Sequence, residues 1–400
     1  MEKQNLESIC RYRNEAIVSR DAKCEEYIST ESMVANRGGI TLVSSALPDG
    51  KVKRYRKGDV LVSNIRPYFK KIWHASHDGT CSNDVLVFQA TKCDSSYLFW
   101  ALSSDAFFDY MMKTSKGTKM PRGDKKAIMG YQVGLPPVDQ QKAVCEILES
   151  LQEKIELNNQ INGYLAALGE AIATRHSNEA DGTLDDICNQ SKEAVSFESA
   201  QLETYVSTEN LLPNKAGLQL SAGLPTSGKV TRYRKGDTLI ANIRPYFKKI
   251  WYATDEGTCS GDVIVFRAND VRYAPYVFFS LFCDEFFKYV MLGAKGIKMP
   301  RGDKKQMMTF PICTNCNSTD LQLLHELASM IGTNHAESRQ LARLRDVLLP
   351  ELMSGEIDVS KVDLTQLNSH LYACMLLFAP MHSFVYHIRV SGLDMRKGLR

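Results

Sequence analysis

Two basic stretches of the chain carry side chains that could bind an anionic polymer. The first is 64–71, NIRPYFKK, and the second is 116–126, KGTKMPRGDKK. An arginine can read the edge of a base with two hydrogen bonds, whereas a lysine is better suited to phosphate charge. Basic residues interleaved with aromatic residues are the usual footprint of a nucleic-acid partner. These stretches therefore predict a nucleic-acid-binding surface.

Both stretches occur twice in the chain. Residues 54–88 and 232–266 are identical at 26 of 35 positions, at an offset of 178. After a one-residue insertion, 116–126 recurs as 295–305 with a single difference. A repeat of this length is a duplicated domain and not a solenoid unit of a few dozen residues. Two like domains indicate a near-twofold molecule, suited to a target that is itself nearly twofold.

The candidate nucleic-acid-binding residues are the cations and tyrosines of these repeated stretches. They are Arg66, Tyr68, Lys70, Lys71, Lys116, Lys119, Arg122, Lys125, Lys126, Arg244, Tyr246, Lys248, Lys249, Lys295, Lys298, Arg301, Lys304 and Lys305. A third basic stretch, 54–57 with 232–235, precedes a Gly-Asp turn. The alternative interpretation of all three is a solvated charged face, and Tyr68 and Trp73 also fit a core. Retention of RPYFKK while nearby polar positions differ favours the binding interpretation.

The overall charge hides this local bias. The chain of 400 residues has 49 Lys and Arg against 46 Asp and Glu, a net charge of +3. Residues 51–71, however, contain eight Lys or Arg and one acid, and 229–249 contain seven and one. The eleven cysteines have no framework spacing and no apolar leader precedes them, so we expect reduced thiols in the cytoplasm. Cys313 and Cys316 form a CxxC without a second pair, which favours a loop over a metal or redox site.

Short β-like runs alternate with turns in each copy. Residues 59–63 and 84–88, with their counterparts 237–241 and 262–266, are rich in β-branched residues and predict strands. One helix is predicted over 97–111 and again over 276–291. Their paired aromatics, at 107–108 and 286–287, are assigned to the core.

The apolar period changes after each globular copy. Steps of four and three residues predict a long helix with a heptad seam in each copy, roughly 35 residues and about 50 Å long. The seam residues are Leu148, Leu151, Ile155, Asn158, Asn162, Leu324, Leu327, Ile331, Asn334 and Ser338, extended by Val144, Leu165, Leu341 and Leu348 and interrupted at Arg345. Polar seam residues usually fix register at a cost in stability. The two helices of one chain are each other's obvious partners.

Several common catalytic motifs are missing. The chain has no GxxxxGK[ST], no GxGxxG after a strand, no HExxH and no GxSxG. In 64–67, NIRP, an arginine stands where an adenine methyltransferase motif would have proline. His74 and His77 become Tyr252 and Asp255 in the second copy, so a duplicated catalytic pair is disfavoured. Together with the repeat, this pattern favours a binding protein without metal or cofactor over an enzyme.

At this point the chain resembles the specificity subunits of type I restriction–modification systems. The resemblance covers residues 1 to about 360. It is carried by 58–67 with 236–245, by 81–84 with 259–262, by LPPVDQQ at 135–141 and by LLPELMSGE at 348–356. It implies two mixed α/β (α+β) target-recognition domains joined by an antiparallel coiled coil of two long helices.

The resemblance also implies a role and partners. Each domain would read one half of a bipartite double-stranded DNA site, with the helices setting the spacer. Two modification subunits would carry S-adenosylmethionine chemistry, and restriction subunits would use ATP and Mg. Because the two copies are so alike, we expect related half-sites in inverted orientation, a near-palindrome.

The predicted boundaries follow the repeat. Target-recognition domains are expected at 1–138 and 179–316, spacer helices at 139–178 and 317–356, and an appended tail at 357–400. An apolar run at 372–388 is interrupted and short for a membrane span. Two other classes stay open: a nuclease with an undetected site, and a coiled-coil adaptor with basic loops that bind protein or RNA.

Overall fold

The computed structural model describes residues 3–23, 26–41, 47–177 and 179–359. The expectations for the tail beyond 359, including the apolar run at 372–388, lie outside the described residues. Among the described residues, no helix is both long and apolar enough to cross a bilayer.

The two copies consist of the same series of short strands and helices. The strands of the first copy are β1 (Lys3–Asn5), β2 (Cys10–Tyr12), β3 (Ala16–Val18), β4 (Tyr27–Ile28), β5 (Lys51–Tyr55), β6 (Val60–Ser63), β7 (Ile72–His74), β8 (Gly79–Cys81), β9 (Val85–Ala90) and β10 (Gln132–Gly134). Its helices are α1 (Leu6–Ile9), α2 (Ser95–Leu102), α3 (Asp105–Lys113), α4 (Lys125–Ile128) and α5 (Val138–Ser177).

The second copy repeats this order. Its strands are β11 (Gly182–Thr183), β12 (Cys188–Ser191), β13 (Ala194–Ser196), β14 (Tyr205–Val206), β15 (Lys229–Tyr233), β16 (Thr238–Ala241), β17 (Ile250–Tyr252), β18 (Gly257–Cys259), β19 (Val263–Ala268) and β20 (Pro311–Ile312). Its helices are α6 (Leu184–Ile187), α7 (Ala274–Phe282), α8 (Asp284–Leu292), α9 (Lys304–Met308) and α10 (Ser318–Ser354).

Each copy contains two four-stranded sheets and a two-stranded ribbon. In the first copy the strand orders are β2-β9-β6-β7 and β3-β5-β8-β4, and the ribbon is β1-β10. The second copy has the orders β12-β19-β16-β17 and β13-β15-β18-β14, with the ribbon β11-β20. All pairs are antiparallel except β4 with β8 and β14 with β18. The mixed α/β class expected from the sequence is confirmed.

The central strands are apolar on both faces because two cores cover them. In β6, Val60 and Val62 pack into one cluster with the helices, whereas Leu61 packs into a second cluster with Tyr55. Successive side chains of a strand point to opposite faces, so an unbroken apolar run is what a strand between two cores requires. The strands predicted at 59–63, 84–88, 237–241 and 262–266 are found as β6, β9, β16 and β19.

The single helix predicted in each copy was wrong, because each is two helices. In the first copy, Ser104 separates α2 from α3. Its backbone is extended, and its side chain caps α3 by accepting a hydrogen bond from the Phe107 N–H. In the second copy, Cys283 is extended between α7 and α8. A serine that bonds the backbone in a non-helical conformation is a good cap and a poor helix interior. The paired aromatics are buried, as predicted.

The chain folds into two compact units, and the boundaries of these units differ from those of the sequence repeat. Unit 1 contains Met1–Lys154 with the described residues from Gln340 onward, and unit 2 contains Ile155–Arg339. Each unit therefore has one globular copy, the first part of the helix that follows it and the second part of the other long helix.

Within each unit the two long helices pack against the globular copy. In unit 1, Leu148 of α5 and Leu349 and Leu352 of α10 share a buried cluster with α2 and α3. In unit 2, Leu165 of α5 and Leu324 of α10 are buried in the corresponding cluster.

Candidate nucleic-acid interface

The structure joins the two basic stretches in each unit. We call 64–71 and 242–249 the first loop, and 116–126 and 295–305 the second loop. In unit 1, Ile65 and Arg122 form a β-bridge, and the Arg66 N–H donates to the Pro121 carbonyl at 2.8 Å. In unit 2 the Arg244 N–H donates to Pro300 at the same distance. These contacts make one surface, the loop pair, from stretches about 50 residues apart in sequence.

The first loop has a strained backbone. Arg66 and Lys70 flank a 3-10 helix, Pro67–Phe69, and have φ values of 50° and 49°. Arg244 and Lys248 have the same left-handed conformation, with φ of 52° and 49°. That conformation costs a non-glycine residue roughly 1–2 kcal/mol. Strain retained in both copies is a common feature of functional sites.

Two buried polar atoms beside this turn have no partner within the described residues. They are the Asn64 Oδ1 and Arg66 Nε atoms, and the equivalent atoms of Asn242 and Arg244 repeat the pattern. A Cβ at Gly123 would lie 2.9 Å from Asn64 Oδ1, so glycine permits this close approach. Buried polar groups are nearly always hydrogen-bonded, and exceptions call for an explanation. An arginine Nε donor beside an amide carbonyl acceptor fits a ligand that offers both an acceptor and a donor along one edge.

Aromatic rings project from the first loop. Tyr68 is 47% exposed and Tyr246 is 46% exposed. Each ring packs against the next residue, with 4.7 Å between the centroids of Tyr68 and Phe69 and of Tyr246 and Phe247. Phe69 and Phe247 are also exposed. Exposed rings can stack on bases or sugars. Trp251 is core, and Trp73 is partly buried against the core.

The lysines of the first loop make protein contacts. Lys70 Nζ lies 2.8 Å from Asp105 Oδ1, and Lys248 Nζ lies 2.8 Å from Asp284 Oδ2. Lys71 Nζ donates to the Thr30 carbonyl at 2.7 Å, and Lys249 donates to the matching carbonyl in unit 2. Burial lowers the pKa of the Lys71 ammonium. These ammonium groups hold the loop in position.

The second loop is a small hairpin held by its own ion pair. The N–H groups of Lys116 and Arg122 donate to each other's carbonyls, at 2.9 and 3.0 Å. Lys116 Nζ lies 2.7 Å from Asp124, and Lys295 Nζ lies 3.0 Å from Asp303. The hydrogen bond from Lys116 lowers the pKa of the Asp124 carboxyl.

Arg122 and Arg301 are each anchored by an acid from outside the loop. Arg122 Nη2 lies 3.2 Å from Asp84 Oδ1, and Arg301 Nη1 lies 3.0 Å from Asp262 Oδ1. Both arginine side chains are 55% exposed, so most donors still face solvent.

The remaining lysines of the second loop have no acidic partner in the described ranges. In the described ranges, no ion pair is formed by Lys119, Lys125, Lys126, Lys298, Lys304 or Lys305, all of which are exposed. Free ammonium groups around an arginine-bearing turn produce a positive surface suited to phosphates.

A third segment, which was not predicted from the sequence, lies behind the first loop. The N–H groups of Asn36 and Arg37 donate to the carbonyls of Phe69 and Lys70, at 2.8 and 2.9 Å. Asn214 and Lys215 repeat these bonds in unit 2. All four residues have positive φ. An asparagine followed by a cation at equivalent positions was the available signal.

The third basic stretch does not contribute to the contacts that join the loop pair. Arg56 Nη2 lies 3.0 Å from Glu15, and the Lys57 N–H donates to Asp78. Arg54 lies in β5, where its N–H donates to the Glu15 carbonyl.

The predicted helix seam contains a hydrogen-bonded polar centre within unit 2. Asn158 Nδ2 donates to Glu337 at 2.7 Å and to Ser338 at 3.3 Å. Asn334 Nδ2 donates to Asn162 Oδ1 at 2.8 Å. Residues farther along α5 contact residues nearer the start of α10, so the two helices run antiparallel here. Arg345, expected to interrupt the seam, is buried in unit 1 and donates to Gln152 at 2.6 Å.

The apolar seam residues are mostly buried. Leu148, Leu151, Leu324, Leu327 and Ile331 are buried, whereas Ile155 is intermediate. The CxxC thiols of Cys313 and Cys316 are buried in the core of unit 2, and burial raises the pKa of Cys316 to about 12. No cluster of metal-ligating side chains is found among the described residues.

Known proteins share this sequence pattern. Residues 1–166 match the family model of the type I restriction modification DNA specificity domain. The type I restriction enzyme EcoDI specificity subunit of Escherichia coli is 28% identical over 127 residues, which are 32% of this chain and 28% of that protein. The HindI specificity subunit of Haemophilus influenzae is 28% identical over 133 residues, 32% of this chain and 29% of that protein. Each match spans less than a third of the relative's length.

One solved structure has a similar fold. The crystal structure of the type I restriction-modification system S subunit from M. genitalium has a TM-score of 0.53 and 14% sequence identity. The similarity covers 88% of this chain and 96% of that one. The family match lies in residues 1–166, and much of that sequence recurs at an offset of 178. Residues 1–166, and through the repeat much of the second copy, are therefore similar to the type I restriction modification DNA specificity domain.

Proposed function

We propose that this chain is the DNA-specificity subunit of a type I restriction–modification complex and is not itself an enzyme. Each unit would read one half of a bipartite duplex site through its loop pair. The observation that carries the proposal recurs in both units: a strained arginine whose buried Nε has no partner among the described residues lies beside an asparagine carbonyl that is also unsatisfied there.

The side chains of the loop pair divide by role. Arg66 and Arg244 would read base edges in the major groove, because a guanidinium pairs well with guanine O6 and N7. The exposed lysines of the second loop would contact phosphates and fix register. The ion-paired Lys70 and Lys248 would position the first loop. Because the loops are nearly identical, we propose related half-sites, in the inverted orientation that a twofold arrangement would require.

The partners follow from the same proposal. Two methyltransferase subunits would supply S-adenosylmethionine and the pocket for a flipped adenine, and restriction subunits would supply ATP-driven cleavage. The long helices would dock these subunits and set the spacer. The complex would act on DNA in the cytoplasm.

Methylation mapping tests the proposal. The chain is co-expressed with its modification subunit, and N6-methyladenine is mapped across the host DNA. We expect one bipartite motif, lost with Arg66→Ala or Arg244→Ala. Arg54→Ala is the matched control, because this arginine is exposed and lies outside the loop pair; it should preserve the motif.

The alternatives have different signatures. A stable complex without motif-specific methylation contradicts the proposal and favours an adaptor. Metal-dependent cleavage of DNA by the isolated chain would instead indicate a nuclease.

A further inference from the structure

The two loop pairs differ at one position of the second loop. Of the eleven residues in 116–126 and 295–305, only Thr118 and Ile297 are unlike. The hairpins have the same frame, since Lys295 and Arg301 exchange backbone hydrogen bonds at 2.9 Å as their counterparts do. An identical frame places the two side chains at equivalent points of their surfaces.

Ile297 is fully exposed, at 105% of its reference accessible area. It follows a left-handed glycine, Gly296, in a hairpin that otherwise presents cations. A single exposed apolar residue needs no explanation. Here, however, Met299 of the same hairpin is also exposed, and so is Leu292 just before it, where the first copy has Lys113.

The fold gives Ile297 nothing to pack against, so its apolar side chain does not stabilise unit 2. An isoleucine in place of threonine gains free energy only where the methyl groups are removed from water. The hairpin that carries Ile297 is joined to the first loop by the hydrogen bond from the Arg244 N–H to the Pro300 carbonyl. The molecule that binds the loop pair would therefore cover Ile297.

In duplex DNA the apolar feature of the major groove is the thymine 5-methyl group. We propose that Ile297 contacts a thymine methyl in the half-site read by unit 2, and that Thr118 makes a hydroxyl contact at the corresponding base pair of the other half-site. The site is then a palindrome broken at this base pair. The inference rests on the proposed function and adds the residue pair that makes the half-sites unequal.

Replacing thymine by uracil removes the methyl group alone and provides the test. The complex of the full chain with its modification subunits is bound to duplexes that carry the mapped motif, with one uracil at each thymine in turn. At protein concentrations that permit weak binding, Arg66→Ala should tolerate base changes in the half-site of unit 1 and Arg244→Ala those in the half-site of unit 2, which assigns the half-sites. One uracil in the half-site of unit 2 should weaken binding about four-fold, the value of one buried methyl group. Ile297→Ser should bind the thymine and uracil duplexes equally.

Exchange variants provide the second readout. Ile297→Thr should change the methylated motif so that its two halves match at this base pair, and Thr118→Ile should introduce a thymine preference in the other half. Gly261→Asn, which exchanges a different exposed position that differs between the copies and lies next to Asp262, is the matched control and should leave this base pair unchanged.

The outcomes distinguish failure of the inference about Ile297 from failure of the proposed function. Equal binding of all uracil duplexes by the unmodified chain, or an unchanged motif in Ile297→Thr, overturns the inference and leaves the proposed function standing. A complex that binds all duplexes without sequence preference overturns both.

Discussion

Arg66 combines two features that weaken a folded protein, a left-handed backbone and a buried donor that has no partner in the described part of the chain. Arg244 has both as well, although many surrounding positions have changed since the duplication. Selection for stability alone would favour glycine at such a position. The side chain is therefore better explained by binding than by folding.

Arg66→Gly should separate stability from binding. Glycine relieves the left-handed strain and removes the unsatisfied donor, but it adds freedom to the unfolded chain. We expect the free energy of unfolding of unit 1 to stay constant or rise by up to about 1 kcal/mol, while sequence-specific DNA binding is lost. Hydrogen exchange of β6 and β9 measures the first effect. A loss of more than about 1 kcal/mol would make Arg66 a structural residue.

His335 should make unit 2 sensitive to mild acid. Burial, followed by repulsion from Arg339, lowers its pKa from 6.5 to about 4. The folded form is therefore neutral in a range where the unfolded chain binds a proton. Stability is complete above pH 6.5 and falls as the pH drops toward 4, by at most about 1.4 kcal/mol per pH unit.

Urea unfolding of unit 2 between pH 7 and 4, with His335→Gln as the comparison, checks this. The glutamine variant should have a flatter pH profile. Equal slopes for the two proteins would show that His335 does not titrate in this range.

At the scale of strands, the two copies use different cations for one buried acid. In unit 1, Arg13 Nε lies 2.6 Å from Asp59, with side chains 8% and 4% exposed. In unit 2 the equivalent acid, Asp237, lies 2.7 Å from Arg267 Nη2, and the cation comes from the neighbouring strand β19. The counterparts of the two arginines are Ser191 and Gln89. The duplicated fold places a positive charge at this point, either from the residue that follows β2 or from β19.

It should therefore be possible to supply the cation for Asp59 from β9 in place of Arg13. Arg13→Ser leaves Asp59 buried without its cationic partner, with the Arg56 N–H still donating to it, and should destabilise unit 1 by about 3 kcal/mol. Adding Gln89→Arg, which takes the position of Arg267, should restore at least half of that loss. Repulsion from the cross-strand Arg11 is small because that side chain is exposed. Hydrogen exchange of β6 and β9 is the measurement, and a double variant no more stable than Arg13→Ser would refute the exchange.

Local sequence predicted the elements better than it predicted the site. Apolar runs gave β6 and β9 because those strands are covered on both faces, and the heptad period gave α5 and α10. The break at Ser104 was missed because one hydrogen-bonded cap outweighs an apolar pattern. The ion pair of Lys70 with Asp105, and that of Arg122 with Asp84, join residues more than 30 positions apart. Such contacts depend on chain topology, which local periodicity does not contain.

At the scale of the whole chain, each compact unit contains parts of both long helices. Leu349 and Leu352 follow the second copy in sequence, yet they are buried in the core of unit 1. Leu165 and Ile172 follow the first copy, yet they are buried in the core of unit 2. Both globular copies therefore depend on both long helices, so neither can fold in full from its own repeat.

Core substitutions in the helices should consequently act on the copy whose buried cluster contains the leucine, and not on the copy that precedes the helix. Leu349→Ala should speed hydrogen exchange in β6 and β9 of unit 1, and Leu165→Ala should do so in β16 and β19 of unit 2. Each removes a buried leucine at a cost of about 2–5 kcal/mol. The two variants are matched controls for each other, because each changes one leucine that is 3% exposed on a long helix. Faster exchange in β16 and β19 with Leu349→Ala, and none in β6 and β9, would mean that each domain is stabilised by its own helix and would refute this division of the chain.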